Sequence, residues 1–248
     1  MSALDGKVAI VTGGAQGIGR AIAEGLAAEG ARIVIADLKG AQEAASVFGG
    51  GVGLTIDVAS EADAERMAAE TVEHCGGVDI LVNNAGLYAS LVMRPFEEID
   101  VDEWRRVMDV NVMSMFLTCR AVVPRMRERG GGRIVNVSSG TPFRGVPFLL
   151  HYVTSKGAIV TLTRALAKEL GGDEILVNCV APGFTMSEGV RDNPEVVNAL
   201  RDVSVSARTL KRDQVPEDVV GAAVFLCGPG STFITGQTMV IDGGQYFH

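Results

Sequence analysis

The stretch VAIVTGGAQGIGR, residues 8–20, decides how the rest of the chain is read. Val8, Ala9, Ile10 and Val11, closed by Thr12, are continuously apolar, as a strand covered on both faces should be. The glycines that follow open a helical pattern. A glycine-rich turn between a buried strand and a helix brings backbone N–H groups to a helix N-terminus, where a pyrophosphate can approach. The spacing is G-x-x-x-G-x-G, through Gly13, Gly17 and Gly19 with Gln16 and Ile18 between them. A plain tight turn reads the same in isolation; the flanking strand and helix favour the dinucleotide reading.

Working outward, the same alternation continues to the C-terminus. Strands are predicted over 8–12, 32–36, 52–57, 80–83, 133–138, 176–180 and 239–242, and helices over 17–29, 61–75, 101–129, 152–170 and 216–227. Strand–helix alternation with right-handed crossovers gives an α/β chain with a doubly wound, mostly parallel seven-stranded sheet and helices on both faces. No repeat or linker interrupts residues 1–248, so one domain is expected. The polar stretch 182–216 is left irregular, and 185–216 is expected to form a lid.

Composition narrows the class. The chain is 47% hydrophobic and 21% charged, without an apolar run of the roughly 20 residues a membrane helix needs. The N-terminus lacks the apolar region of a secretory signal. A net charge of −8 speaks against nucleic-acid binding. Cys75, Cys119, Cys179 and Cys227 are scattered and read as reduced thiols of a cytosolic protein. His74 and His248 have no partners at ligand spacing, so no metal is expected. The sequon at Asn136 falls within a strand and is discounted. Met108, Met113 and Met115 read as packing.

Several residues fall where strands deliver them to the carboxyl edge of the sheet, the ligand edge of open α/β folds. Asp37, with Leu38 beside it, ends the second strand roughly 20 residues past the glycines, where a carboxylate accepts the ribose hydroxyls of NAD and repels the 2′-phosphate of NADP. Lys39 weakens that discrimination, and a surface turn acid is the alternative. Asp57 closes the third strand ahead of Val58, where an adenine could be contacted. Asn83-Asn84-Ala85-Gly86 closes the fourth, with Asn to tie strands together and small residues to admit a ligand. Ordinary turn chemistry is the alternative for both. Tyr152 and Lys156 stand one helical turn apart on one face. A phenol titrates near 10, too high for acid–base work at neutral pH, and a neighbouring ammonium with an oxidised nicotinamide would lower it. The fifth strand delivers the hydroxyls of Ser138 and Ser139 to the same edge. His151, about 100° from Tyr152 around the helix, is expected to face elsewhere, such as a partner subunit.

Together, residues 12–19, Asp37, Asn83-Asn84-Ala85-Gly86, Asn111, Ser139, Tyr152, Lys156, Pro182-Gly183 and the terminal Ile241-Asp242-Gly243-Gly244 make the whole chain resemble the short-chain dehydrogenase/reductase family. The resemblance implies a Rossmann fold binding NAD, with Tyr152 as proton donor or acceptor. Lys156 would hold the ribose and lower the tyrosine pKa, Ser139 would bond the substrate oxygen, and Asn111 would anchor a water relaying the proton. Pro182, Gly183 and the following backbone at Phe184 would fix the nicotinamide, with Thr185 and Ser187 competing for its carboxamide. The same resemblance implies a homotetramer joined through the helices 101–129 and 152–170.

The pattern looks closest to dehydrogenases of secondary and bulky ring-bearing alcohols, or carbonyl reductases. A 3-oxoacyl-thioester reductase is the alternative, against which Asp37 speaks, and a non-catalytic dinucleotide sensor is a further one. Phe143, Val146, Phe148, Leu149, Leu150, Leu87, Val92, Met93, Phe184 and Met186 are candidates for an apolar substrate wall. Arg144, in that wall, could pair with a substrate carboxylate or phosphate.

Overall fold

The computed structural model describes residues 2–247. Its elements run β1 (Val8–Thr12), α1 (Gly17–Ala28), β2 (Arg32–Asp37), α2 (Ala41–Ser46), β3 (Val52–Thr55), α3 (Glu61–Cys75), β4 (Ile80–Asn83), α4 (Val101–Met108), a π-helical turn (Asp109–Met113), α5 (Ser114–Glu128), β5 (Gly132–Val137), α6 (Thr141–Arg144), α7 (Leu150–Leu170), β6 (Ile175–Pro182), α8 (Glu188–Arg191), α9 (Pro194–Ala207), α10 (Glu217–Cys227) and β7 (Thr238–Ile241). The sheet order is β3-β2-β1-β4-β5-β6-β7, with every pair parallel. The chain reverses its winding between β1 and β4, and a ligand crevice opens beyond the carboxyl ends of strands at such a switch.

Alternation along each strand divides the core into two layers. Val8 and Ile10 of β1 join Val34, Leu81, Ile134 and Val177 under α3, α5 and α7. Ala9 and Val11 join Ile33, Ile35, Val82 and Val135 under α1 and α10. Each fully buried Ile, Leu or Val contributes about 1.5–3 kcal/mol of transfer free energy, so these two layers dominate the stability.

Caps fix where helices begin. Ser60 Oγ accepts from the Asp63 N–H at the start of α3, and Asp100 accepts from Asp102 and Glu103 at the start of α4. Val101–Glu128 is helical throughout and, by length and composition alone, long enough to cross a bilayer; 56% of its apolar window is buried within the fold.

Three expectations change. The stretch 182–216 is not irregular: it carries α8 and α9. Asn193 accepts from the Val196 N–H and Pro194 stands in the first turn, an N-cap signature that was present in the sequence. The third strand ends at Thr55, so Asp57 lies beyond it and caps a turn by accepting from the Ala59 N–H. The single helix expected over 101–129 contains a wider π turn at Asp109–Met113.

Candidate active site

A cavity of about 710 Å³ lies over the β1–β4 switch. Nearly all the sequence-designated cofactor positions line it: Gly13, Gln16, Gly17, Ile18, Asp37, Leu38, Asp57, Val58, Asn84, Ala85, Gly86, Pro182, Gly183, Phe184, Thr185 and Ser187. Gly19 is buried below this surface. A Cβ there would sit 2.3 Å from the Gly13 carbonyl oxygen and 2.4 Å from Asn84 Nδ2, so its smallness lets α1 approach the β4 end. Gly13 has φ +61°, and a side chain on it would meet the Ala85 backbone at 2.8 Å.

Polar bonds hold this end rigid. Asn84 Nδ2 donates to the carbonyls of Thr12 and Gly13 at 3.1 and 2.9 Å, while Thr12 Oγ1 accepts from the N–H groups of Asn84 and Ala85. Asn83 Nδ2 donates to Asn136 Oδ1, and Asn136 Nδ2 donates to Thr163 Oγ1, both at 3.0 Å. Asn136 is therefore wholly engaged inside the protein. Asp37 Oδ2 accepts from the Ala15 N–H at 3.1 Å, which places the carboxylate beside the glycine turn.

The end of the cavity that holds the catalytic candidates is built on β5 and α7. Ser139, Tyr152 and Lys156 all line the cavity and are all buried. Ser138 does something else: its Oγ donates to the Lys156 carbonyl at 2.7 Å and ties β5 to α7. Lys156 Nζ donates to the Val137 carbonyl at 2.9 Å and stands 5.8 Å from the centre of the Tyr152 ring. Burial pushes the Tyr152 phenol up to about 12, opposed by its hydrogen bond with Ser139, and pushes the Lys156 ammonium down to about 8. The protein by itself thus raises the tyrosine pKa instead of lowering it, because both charged forms lose water together.

Asn111 is wholly buried in the π turn and does not line the cavity. Its Oδ1 accepts from the Leu87 N–H at 2.7 Å, and its Nδ2 donates to the Leu87 carbonyl and to Ser155 Oγ at 3.3 and 3.0 Å. It holds the segment after β4 against α7. Thr185 and Ser187 both line the cavity but have different neighbours: Thr185 Oγ1 donates to the Gly183 carbonyl, while Ser187 lies against Gly17 at the start of α1.

The substrate end is more mixed than expected. Of the ten apolar candidates only Leu87, Val146, Leu149 and Phe184 line the cavity, joined by Tyr88, Val190, Leu200 and Val203. Val92, Phe148 and Leu150 are exposed, and Phe143 stacks on Tyr246 with ring centres 5.6 Å apart. Arg144 does line the cavity, as do Arg105 and Arg106. His151 faces away from the cavity as expected, but its neighbour there is in the same chain: it is wholly buried, and its Nε2 lies 2.8 Å from Glu103 Oε1. Among the described residues no group of three His, Cys, Asp or Glu side chains could hold a metal ion; His248 lies outside them. The four cysteines are free.

Sequence reasoning missed four residues here. Tyr88 lies against Tyr152, ring centres 4.9 Å apart. Arg208 is fully buried and its guanidinium donates to the carbonyls of Phe184 and Arg212; Gln214 Nε2 donates to the Ile241 carbonyl. Glu188 Oε2 accepts from the Gly17 N–H at 2.6 Å, at the start of α1. A buried arginine two dozen residues from the carbonyl it serves leaves no local pattern. The glutamate did stand in a candidate lid.

An all-parallel doubly wound sheet with a glycine turn at its switch point and a Ser, Tyr and Lys on one cavity wall defines a dinucleotide-binding oxidoreductase. Comparison with known proteins narrows this. A family model described as enoyl-(acyl carrier protein) reductase matches residues 13–246. The chain is 40% identical to dehydrogenase/reductase SDR family member 4 of Bos taurus, over 99% of this chain and 89% of that protein. It is 37% identical to L-2,3-butanediol dehydrogenase of Corynebacterium glutamicum, over 98% and 99% respectively. The crystal structure of 3-ketoacyl-(acyl-carrier-protein) reductase from Brucella melitensis complexed with NADH superposes with a TM-score of 0.90 at 32% identity, covering 98% of this chain and all of that one. The chain belongs to the short-chain dehydrogenase/reductase family.

Proposed function

We propose that this protein is an NAD-dependent oxidoreductase that interconverts a secondary or bulky ring-bearing alcohol and its ketone, with Tyr152 moving the proton. The observation that carries this is one cavity with Asp37 at one end and Ser139, Tyr152 and Lys156 at the other. The residues fit a dinucleotide: Gly13 and Gly17 line the cavity with bare backbone at the start of α1, and Asp37 stands where a ribose hydroxyl can donate. When bound, NAD supplies the hydride acceptor for alcohol oxidation.

The chain's own residues do the rest. Ser139 orients the substrate oxygen by donating to it. Tyr152 keeps its proton at neutral pH, so it is loaded to protonate a carbonyl oxygen in the reductive direction. In the oxidative direction it must first lose that proton, and the nearby positive charge of Lys156 favours the phenolate. Tyr88 and Leu149 pack against Tyr152 and give the reacting centre an apolar flank.

The test is reduced-nicotinamide absorbance with NAD⁺ or NADP⁺ against aliphatic, cyclic and aromatic secondary alcohols. Turnover with NAD⁺ is expected. Tyr152→Phe should lose at least about a hundredfold in kcat while still binding NAD; a fully active phenylalanine variant sinks the mechanism. A second reading, reduction of a 3-oxoacyl thioester, draws support from the Brucella reductase, since that enzyme is seen with NADH and Asp37 no longer argues against it. Reduction of a 3-oxoacyl thioester without alcohol turnover would select it. We further propose a cytosolic homotetramer; Val101, Met113 and Phe116 are exposed apolar side chains on the helix Val101–Glu128. Light scattering from a stable monomer would count against it.

A further inference from the structure

The buried His151 belongs to a chain of contacts that the reaction scheme above does not use. Its Nε2 meets Glu103 Oε1 at 2.8 Å, and Glu103 Oε2 accepts from Arg94 Nη2 at 3.4 Å. The Arg94 N–H in turn donates to the Phe148 carbonyl at 2.9 Å. Phe148 holds φ at +66°, a left-handed conformation that is strained for a residue with a Cβ and persists only where neighbours impose it. The next residue, Leu149, is buried beside Tyr152 and lines the cavity.

This arrangement duplicates the one around Asn111. From the helix Val101–Glu128, Asn111 reaches Leu87 on one side and Ser155 of α7 on the other. From the same helix, Glu103 reaches Arg94 on one side and His151 of α7 on the other. Leu87 and Arg94 bound a single segment, whose Tyr88 presses on the Tyr152 ring. His151 and Ser155 lie one turn apart on α7, and Tyr152 is between them. Two polar rungs one turn apart therefore fix the face of α7 next to the tyrosine.

We propose that Glu103, His151 and Arg94 form a positioning rung that sets where Tyr152 and the 146–149 wall stand relative to the substrate carbon. None of the three touches the reacting atoms. They act through Tyr152 and Leu149, and the proposal rests on Tyr152 being the proton-transferring group. A merely structural pair would alter folding stability; this rung controls turnover and substrate selection at unchanged dinucleotide affinity.

The test uses the full chain with NAD⁺, cyclohexanol and 1-phenylethanol. His151→Leu and Glu103→Leu should each lower kcat about tenfold, narrow the difference between the two alcohols, and leave NAD binding by calorimetry within twofold. His151→Gln, which can still donate to Glu103, should recover most of the loss and covers the case in which the leucine variants fold poorly. The double leucine variant should be no worse than either single one, since residues acting through one contact are not additive. Losses that multiply, a kcat within twofold of wild type, or a fall in NAD binding that matches the fall in kcat would each overturn the rung. Wild-type turnover that Tyr152→Phe abolishes but these variants leave intact removes the rung alone. Wild-type silence on both alcohols, or an active Tyr152→Phe, removes the proton-transfer reading and the rung with it.

Discussion

The two ends of the cavity are made in different ways. The dinucleotide end is built of backbone and strand ends: Gly13, Gly17 and Gly19, the Thr12 and Asn84 bonds, and Asp37 at the tip of β2. The substrate end is built of side chains from segments far apart in sequence, namely Leu87 and Tyr88, Arg144 to Leu149, and Leu200 to Ser204. The first needs close approach and tolerates almost no added atom. The second is a mixed surface that can be repacked. A site that must recognise one constant ligand is written in the backbone; one that distinguishes substrates is written in exchangeable side chains.

Gly19→Val is the harshest way to test that contrast. Its Cβ would fall within 2.4 Å of both Gly13 O and Asn84 Nδ2, so NAD binding should vanish in a calorimeter and stability should drop by about 1–3 kcal/mol or more. A variant that still binds NAD would show that this end is softer than described.

Asp37→Ala comes next. Loss of a charged hydrogen-bond acceptor is expected to weaken NAD by about 10–100-fold and to let NADP⁺ compete, read as the ratio of kcat/KM values. An unchanged ratio would place the cofactor choice elsewhere.

The seam between the two ends is Lys156, and its prediction concerns pH. Its folded pKa lies below its unfolded value, so between pH 8 and 10 the unfolded chain holds more protons than the folded one, and stability rises with pH. Denaturant melts should show wild type gaining about 2 kcal/mol over Lys156→Met across that window. Above pH 10 the raised Tyr152 works in the opposite direction. Parallel curves for the two proteins would mean that Lys156 stays solvated.

The smallest effect is expected at Glu188. It places a carboxylate on the N–H at the start of α1, where anions are favoured. Glu188→Gln should tighten NAD binding about threefold at low salt, with the gain fading as salt rises. Weaker binding would instead make the carboxylate part of the dinucleotide site.

The same contrast explains what could be read in advance. The sheet was legible because continuously apolar strands alternate with amphipathic helices, and residues such as Asp37 and Asn84 follow directly from where a strand stops. Local spacing brings out Tyr152 and Lys156 on one helix and a pair of hydroxyls at one strand end, but the choice of Ser139 over Ser138 comes from the family resemblance. By contrast, α9 was passed over although Asn193 and Pro194 announce it, because the polar composition around them outweighed the cap. The substrate wall was judged by hydrophobicity alone, and Phe143 shows why that fails: an apolar ring near the cavity can spend itself on Tyr246 instead. His151 was judged by its angle from Tyr152, which was sound, but the partner on that side proved to be Glu103 of the same chain.

The π turn at Asp109–Met113 has a consequence for angular phase. At about 100° per residue, Glu103 and Asn111 in an unbroken α-helix would point roughly 80° apart and could not both reach α7 squarely. A wider turn advances each residue by less and takes up much of that offset, like a vernier inserted into the helix. Deleting Val112, which leaves Glu103 and Asn111 eight residues apart, would restore an even pitch and swing the second contact out of line, detuning the site with every one of its side chains still present.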